Sequence, residues 1–124
     1  MCQFVFGPAW HLYSMTQLAE VMRLITGWEV SVEELMQVGE RRLNLMRAYN
    51  AREGIGREAD VLPKKLKKAL VGGKSEGLVI TDEEIEQAKD WYYAMSGWDV
   101  ATGNPTRAKL EELELGWVAD RIGL

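Results

Sequence analysis

Helix-start signals are the feature of this sequence that most limits its possible folds. A Ser or Thr hydroxyl that accepts a hydrogen bond from a backbone N–H of the first turn marks where a helix begins. A Gln or Glu three residues later can answer the cap, and apolar positions at helical spacing then follow. The predicted caps are Ser14 with Gln17, Ser31 with Glu34, Thr81 with Glu84, and Thr106 before a short last helix.

Glycines predict where these helices end, because a left-handed residue after the last turn is usually glycine. The predicted ends are Gly27, Gly54, Gly97 and Gly116, with a final turn over residues 117–122. In two of these places a Trp follows the glycine, and we expect Trp28 and Trp98 to pack back on the preceding turn. Gly39 lies inside the second helix at a cost of about 1 kcal/mol relative to alanine, so we expect a close neighbour there.

Two remaining segments complete the fold prediction. Residues 63–70, rich in lysine, predict a further short helix with Leu66 and Leu70 on one side. Residues 78–80, Leu-Val-Ile, are the only candidate strand and have no convincing partner. We therefore expect a single helical domain over residues 1–124, an all-α irregular bundle of about five helices with little or no sheet.

Composition excludes several classes of protein. The 124 residues carry a net charge of −4 and are 47% hydrophobic, which allows a packed core and argues against a nucleic-acid binder. No apolar run is long enough to span a membrane, and residues 1–10 lack the basic start of a signal peptide. The single cysteine, Cys2, excludes an internal disulfide and a multi-cysteine zinc site. We expect a cytoplasmic protein with no nucleic-acid or membrane partner.

Few residues could carry chemistry. The sequence has no phosphate-binding glycine motif and no H-E-x-x-H metal motif. His11, between Trp10 and Leu12, is more readily explained as a packed or solvent-edge residue than as a ligand. Cys2 is by default a small buried hydrophobe or a free thiol.

Two charged clusters remain, each with two interpretations. Arg47, Asn50, Arg52 and Glu53, with Arg57 and Asp60 nearby, indicate either a structural ion-pair network or a substrate site, and physical reasoning alone favours the network. The lysine run at 64, 65, 67 and 68 could attract an acidic partner such as a ferredoxin, although a solvated helix face is the simpler interpretation.

Around the arginine cluster, the sequence resembles the C-terminal region of the tungsten-dependent aldehyde ferredoxin oxidoreductases. The resemblance covers most of the chain as an ordered series of short matches with compatible spacing. These are Thr26-Gly27-Trp28, Glu33-Glu34-Leu35, Gly39-Glu40-Arg41, Asn44-Leu45, Arg47-Ala48-Tyr49-Asn50, Arg52-Glu53-Gly54, Leu62-Pro63, Trp91-Tyr92-Tyr93, Gly97-Trp98-Asp99, Gly103, Pro105-Thr106 and Lys109-Leu110-Glu111-Glu112-Leu113.

The resemblance implies a role within a longer enzyme. Members of the family oxidise aldehydes to carboxylic acids at a tungsten bis-pterin (a molybdopterin-type cofactor) and pass electrons through a 4Fe-4S iron-sulfur cluster to ferredoxin. Cys2 matches the cysteine that ends the family's D-x-x-G-L-C segment and ligates the cluster. The proton-handling Glu and His of the family fall upstream, and neither role is transferred to His11. Whether the metal is tungsten or molybdenum, and which aldehyde is preferred, stays open.

On this basis we expect the chain to be the C-terminal part of such an oxidoreductase, inactive and without cofactor when isolated. The remainder of the oxidoreductase would be its partner, and the cluster at Arg47, Asn50, Arg52 and Glu53 would fix helix packing under the cofactor pocket or line the substrate channel. The alternatives are a freestanding helical interaction module and a small subunit of a redox complex. An apolar patch near Phe4 to Trp10 could also cause self-association.

Overall fold

The computed structural model describes residues 13–124, and within that range it is all-α, as expected. The described residues form five α-helices and no strand; their only β-type pairing outside strands is an isolated antiparallel bridge between Trp98 and Pro105. No helix in this range is long and apolar enough to cross a membrane. The helices are α1 (Met15–Thr26), α2 (Val32–Arg52), α3 (Asp82–Ser96), α4 (Arg107–Glu112) and α5 (Gly116–Ile122), with a 3-10 helix at Arg57–Ala59.

The predicted helix starts are confirmed. Ser14, Ser31 and Thr81 each accept a hydrogen bond from the backbone N–H three residues later. The side chains of Gln17, Glu34 and Glu84 complete the capping boxes by accepting from the cap N–H groups. Thr106 caps α4 through a bond from the N–H of Lys109. These starts depend only on neighbouring residues, which is why the sequence reveals them.

Contacts divide the chain into two compact units, residues 1–42 and 43–124, and the boundary falls within α2. In the second unit a hydrophobic core forms where α4 and α5 pack together and enclose Ala48 of α2. Its buried members are Ala48, Leu110, Leu113, Leu115, Val118 and Ala119. The single domain over residues 1–124 stays a prediction.

The helix ends follow the sequence with one correction. Gly27 and Gly97 take left-handed conformations after α1 and α3, as expected. Gly116 does not end α4, as the sequence suggested, but begins α5. The left-handed residue after α4 is instead Glu114, with φ 61°, and the chain turns there so that Leu115 N donates to Leu110 O at 2.7 Å.

The predicted helix over residues 63–70 is wrong. The segment forms turns and then pairs with the returning chain: Leu70 N donates to Leu78 O and Leu70 O accepts from Gly77 N, both at 2.9 Å. A helix this short is stable only when an apolar face packs on a neighbour, and Leu66 and Leu70 stay more than half exposed.

The expectation of close packing at Gly39 is also wrong for the described part of the chain. No described atom beyond its own helix and chain neighbours lies within 4 Å of the position that a Cβ would occupy there. The glycine therefore stands in open space, and its helix cost is not offset by a close contact in this range.

Candidate functional site

A buried arginine organises the second unit. Arg47 projects from α2, and its side chain is only 8% exposed. Its Nε donates to the carbonyl of Gly103 at 2.7 Å, and its two terminal nitrogens donate to the two carboxylate oxygens of Asp60 at 3.0 and 2.6 Å. This two-point pairing uses the planar guanidinium in the geometry that fits a carboxylate best. It ties α2 to the loop after the 3-10 helix and to the turn before α4.

Aromatic side chains from α3 and its cap close around this arginine. The Tyr93 hydroxyl donates to Asp60 Oδ2 at 2.5 Å, and the Trp98 indole N–H donates to Asn44 Oδ1 at 2.9 Å. The two rings stack with centroids 5.9 Å apart, and the Arg47 guanidinium carbon lies 5.2 Å from the Trp98 ring. We call this set the arginine node: Asn44, Arg47, Asp60, Tyr93, Trp98 and Gly103.

Gly103 is the member of the node that only glycine can supply. Its φ is +69°, which other residues rarely adopt, and a Cβ there would lie 2.5 Å from Arg47 Nη2 and 2.9 Å from Tyr93 Cζ. The absence of a side chain lets the backbone carbonyl approach the guanidinium. Glycine is therefore required twice, for conformation and for space.

Asp60 and Tyr93, the two groups of the node with shifted pKa values, titrate well away from neutral pH. Burial alone would raise the pKa of the Asp60 carboxyl, but hydrogen bonds from Arg47 and Tyr93 outweigh it and hold that pKa below its usual value. Burial, followed by the bond to Asp60, raises the pKa of Tyr93 to about 12. Asp60 is thus ionised and Tyr93 protonated at pH 7, an arrangement that holds elements together and offers no group to exchange protons near neutrality.

A second arginine extends the network. Arg57, on the 3-10 helix, binds Glu86 at 2.6 Å and Asp90 at 2.5 Å, both on α3. It also donates to the carbonyl of Val100 at 2.7 Å, and its guanidinium carbon lies 5.4 Å from the Tyr93 ring. The ion-pair interpretation of the cluster therefore describes both Arg47 and Arg57.

Comparison with known proteins places this chain in a family. A family model described as aldehyde ferredoxin oxidoreductase, domains 2 and 3, matches residues 1–115. The chain belongs to the aldehyde ferredoxin oxidoreductase family. The resemblance read from the sequence is confirmed, and the chain corresponds to a C-terminal part of such enzymes.

Similar curated proteins include tungsten-containing aldehyde ferredoxin oxidoreductases. The one from Thermococcus kodakarensis is 30% identical over 96 residues, and the one from Pyrococcus abyssi is 30% identical over 98 residues. These matches cover 76% and 77% of this chain but 15% and 16% of the relatives. The chain thus spans about 15% of the length of the curated relatives it matches.

The fold of this chain also resembles part of a solved structure. The active-site complex BamBC of benzoyl coenzyme A reductase, bound to 1,5-dienoyl-CoA, aligns with a TM-score of 0.70 and 27% identity. The alignment covers 88% of this chain and 15% of that chain.

Cys2, the predicted cluster ligand, and His11, to which no ligand or proton-handling role was assigned, both lie outside the described residues. The chain has one Cys and one His, so residues 13–124 contain neither. Within that range no group of three or more His, Cys, Asp or Glu side chains could hold a metal ion. The residues that the structure describes therefore do not fit an iron-sulfur cluster, and Cys2 is the one thiolate that the chain could contribute.

The other three candidate residues, Asn50, Arg52 and Glu53, do not belong to the arginine node. Arg52 pairs with its neighbour Glu53 at 2.8 Å, with both side chains about half exposed, and its guanidinium carbon lies 4.8 Å from the Tyr49 ring. Asn50 contributes its backbone carbonyl, which accepts from Ile55 N at 2.9 Å after α2 ends. The side chains of Arg52 and Glu53 thus face solvent in the described part of the chain, while Arg47 faces the interior.

Sequence reasoning missed how the node is completed. The sequence predicts a capping role for Trp98 and includes it in the family resemblance, whereas Asn44 and Tyr93 appear only in the resemblance. The available signal was the spacing of Asn44 and Arg47, one helical turn apart, which places two polar side chains on one face.

An open cleft of about 570 Å³ adjoins the node, lined also by Leu62, Ile85 and Tyr92.

Proposed function

We propose that this chain is the C-terminal helical part of a tungstopterin aldehyde ferredoxin oxidoreductase and contributes one cysteine ligand to its 4Fe-4S cluster. The observation that carries the proposal is the family match over residues 1–115, which includes Cys2 and the whole arginine node. We include aldehyde oxidation and ferredoxin as electron acceptor in the proposal because the names of the relatives indicate them. We include a cytoplasmic location because the sequence predicts it.

The contacts of the described residues favour a structural role for the node within the enzyme. The node pairs its buried charges, and its two titrating groups, Asp60 and Tyr93, keep one protonation state around neutral pH. Such an arrangement fixes the relative positions of α2, α3 and the turn before α4. We infer that the node maintains the wall of helices on which the remainder of the oxidoreductase packs.

The proposed cofactors need more ligands than this chain can supply. A 4Fe-4S cluster normally takes four thiolates, so a chain with one cysteine provides at most one of them. The tungsten bis-pterin would supply the two-electron chemistry, and residues 13–124 contain no further thiolate for the cluster. The other ligands must come from the remainder of the oxidoreductase.

A second candidate function is suggested by the solved structure. Alignment over 88% of this chain with a benzoyl coenzyme A reductase complex favours a place in a complex that acts on an aromatic acyl-CoA thioester. In that case the chain would be part of a redox complex of several subunits. Substrate assays separate the two candidates.

The experiment is to purify the tagged chain from its native host together with the proteins that remain bound to it. We expect tungsten and about four iron atoms per cluster in the purified material, together with reduction of a viologen dye by aldehydes. Reduction of the dye by dienoyl-CoA without any aldehyde activity would favour the second candidate. Absence of both metals would contradict the proposal.

A pair of variants tests Cys2 itself. Cys2→Ser should remove the iron and the EPR signal of the reduced cluster, because oxygen is a poor substitute for a thiolate at iron. Gln3→Ser, the matched change at the next residue, should retain both. A Cys2→Ser protein that keeps its full iron content and EPR signal would rule out the ligand role.

A further inference from the structure

A groove between α2 and α5 lies wholly within the second unit. Its volume is about 470 Å³, which is in the range of small-molecule pockets. Ala48 and Val118 of the hydrophobic core line it, so the groove reaches down to packed interior. Tyr49 and Trp117 add two aromatic rings, 58% and 60% exposed. The groove thus offers an apolar and aromatic surface to a ligand.

The charged side chains that line the groove are both arginines. Arg52 contributes from α2 and Arg121 from α5, and no acidic residue occurs among the described residues of the lining. The cleft beside the arginine node differs in this respect, because Asp60 lies among its lining residues. A guanidinium binds carboxylates and also stacks on aromatic rings, so a lining of arginines and aromatic rings favours an anion with a flat apolar body.

Arg121 is available to such a ligand. Its side chain forms no ion pair or hydrogen bond with any residue of the range that the structure describes. Asp120, the acid next to it in the sequence, is already paired with Arg107 at 2.9 Å. Arg107 also donates to the carbonyl of Leu124 at 2.8 Å, which ties the end of α5 to α4. The groove therefore carries an uncompensated positive charge on an anchored helix.

Arg52 is held in place at the opposite side of the groove. Its guanidinium carbon lies 4.8 Å from the Tyr49 ring, and its Nη2 pairs with Glu53 at 2.8 Å. Two arginines and one glutamate leave a single positive charge in excess. This balance matches a singly charged carboxylate better than a doubly charged phosphate. A side chain already positioned in this way also loses little conformational entropy when a ligand binds.

We propose that the groove between α2 and α5 binds a small aromatic carboxylate. The carboxylate pairs with Arg121, whose planar guanidinium can bind both of its oxygens, and Arg52 adds a second positive charge. The aromatic body of the ligand packs against Trp117 and Tyr49, since aromatic rings attract one another beyond the area that they bury. The inference goes beyond the proposed function and does not depend on it.

The test titrates naphthoate into the full nitrogen-labelled chain and follows the tryptophan indole N–H signals by NMR. The Trp117→Phe variant identifies the signal of Trp117 by its loss. We expect that signal to move more than those of the other tryptophans and to saturate with a Kd of about 1 mM or below, as for a small ligand in an open groove. The complex purified from the native host should also bind naphthoate, as measured by saturation-transfer NMR of the ligand.

Three analogues of naphthoate test the chemistry of the ligand. Naphthamide keeps the ring without the charge and should bind about fivefold more weakly or worse. The saturated decalin carboxylate keeps the charge and the size without the aromatic ring, and should bind about threefold more weakly. Naphthyl phosphate adds a second negative charge and should bind no more tightly than naphthoate.

Matched variants, measured by the NMR signals of the ligand, locate the site. Arg121→Gln should weaken naphthoate binding by about fivefold or more, whereas Arg42→Gln, at an exposed arginine of α2, should leave it within about twofold. Trp117→Leu should weaken binding by about threefold, whereas Trp91→Leu, at an equally exposed tryptophan of α3, should not. Glu53→Gln should strengthen binding by about twofold, because it frees Arg52 from its carboxylate. Circular dichroism confirms that each variant is folded.

Several results would overturn the proposal. A Trp117 signal that does not move, or unchanged affinity in Arg121→Gln, would show that naphthoate does not use the groove. Naphthamide that binds as tightly as naphthoate would show that the groove does not select an anion, and equal affinity for the decalin carboxylate would exclude selection of an aromatic body. Tighter binding of naphthyl phosphate would indicate a phosphate site. Binding by the chain but not by the purified complex would show that another protein covers the groove.

Discussion

Arg47 and Arg52 stand five residues apart on α2, and each has a carboxylate partner. Arg47 is 8% exposed and reaches Asp60, thirteen positions further on, with two parallel hydrogen bonds. Arg52 is 55% exposed and pairs with the adjacent Glu53. The comparison teaches that burial and distance along the chain decide what an ion pair contributes, since an adjacent exposed pair joins nothing that the backbone has not already joined.

The two arginines therefore belong to different kinds of structure. Removing one partner of a buried pair leaves an unpaired charge in a poorly solvated place, which is strongly destabilising. Removing one partner of an exposed pair leaves a charge that water solvates. The arginine node should consequently be sensitive to single substitutions, and the Arg52–Glu53 pair should tolerate them.

The largest expected effect is at Gly103, the glycine of the arginine node, and Gly54 beside the Arg52–Glu53 pair is its matched control. Gly103→Ala should lower the free energy of unfolding by about 3–4 kcal/mol, because the left-handed backbone and the clash with Arg47 and Tyr93 both oppose a Cβ. Gly54→Ala, directly after Glu53, also has a positive φ but no neighbour within 4 Å, so about 1 kcal/mol is expected. Urea unfolding measures both, and equal losses would show that the node has room to adjust.

The carboxylates give the next largest difference. Asp60→Asn leaves the buried Arg47 guanidinium without its anion, which costs about 3–5 kcal/mol in fully buried pairs. Because the Asp60 side chain is 37% exposed, solvent should reduce the loss to about 2 kcal/mol. Glu53→Gln should leave the unfolding midpoint almost unchanged.

The same Glu53→Gln variant also bears on catalysis. Unchanged stability together with unchanged aldehyde kinetics in the complete enzyme would rule out both roles proposed for Glu53, in helix packing and in the substrate channel. A loss of activity without a loss of stability would place Glu53 at the channel and sharpen the contrast with Asp60.

This contrast also explains what the sequence could predict. Capping boxes at Ser14, Ser31 and Thr81 depend on residues three positions apart, so local chemistry revealed the helix starts. The arginine node joins α2 to Tyr93 and Gly103, which lie 46 and 56 positions after Arg47, and no local pattern encodes that contact. The error at residues 63–70 has the same origin, because a short apolar spacing becomes a helix only if tertiary packing covers it.

The smallest of the losses predicted for the arginine node concerns the Tyr93 hydroxyl, and its pH dependence distinguishes it from simple packing. Tyr93→Phe should cost about 1–2 kcal/mol at pH 8 through the lost bond to Asp60. Tyr49→Phe, at an exposed ring beside Arg52, should cost almost nothing at that pH.

Raising the pH should then erase the difference between Tyr93→Phe and the original chain. In the unfolded state tyrosine loses its proton near pH 10, whereas in the folded state the pKa of Tyr93 is raised to about 12. The stabilisation is therefore complete below pH 10, and between those values the unfolded state binds fewer protons, so stability falls as pH rises. Urea unfolding at pH 8, 10 and 11 measures this, and a gap between the two proteins that stays constant over that range would show that the Tyr93 phenol does not sense the Asp60 carboxylate.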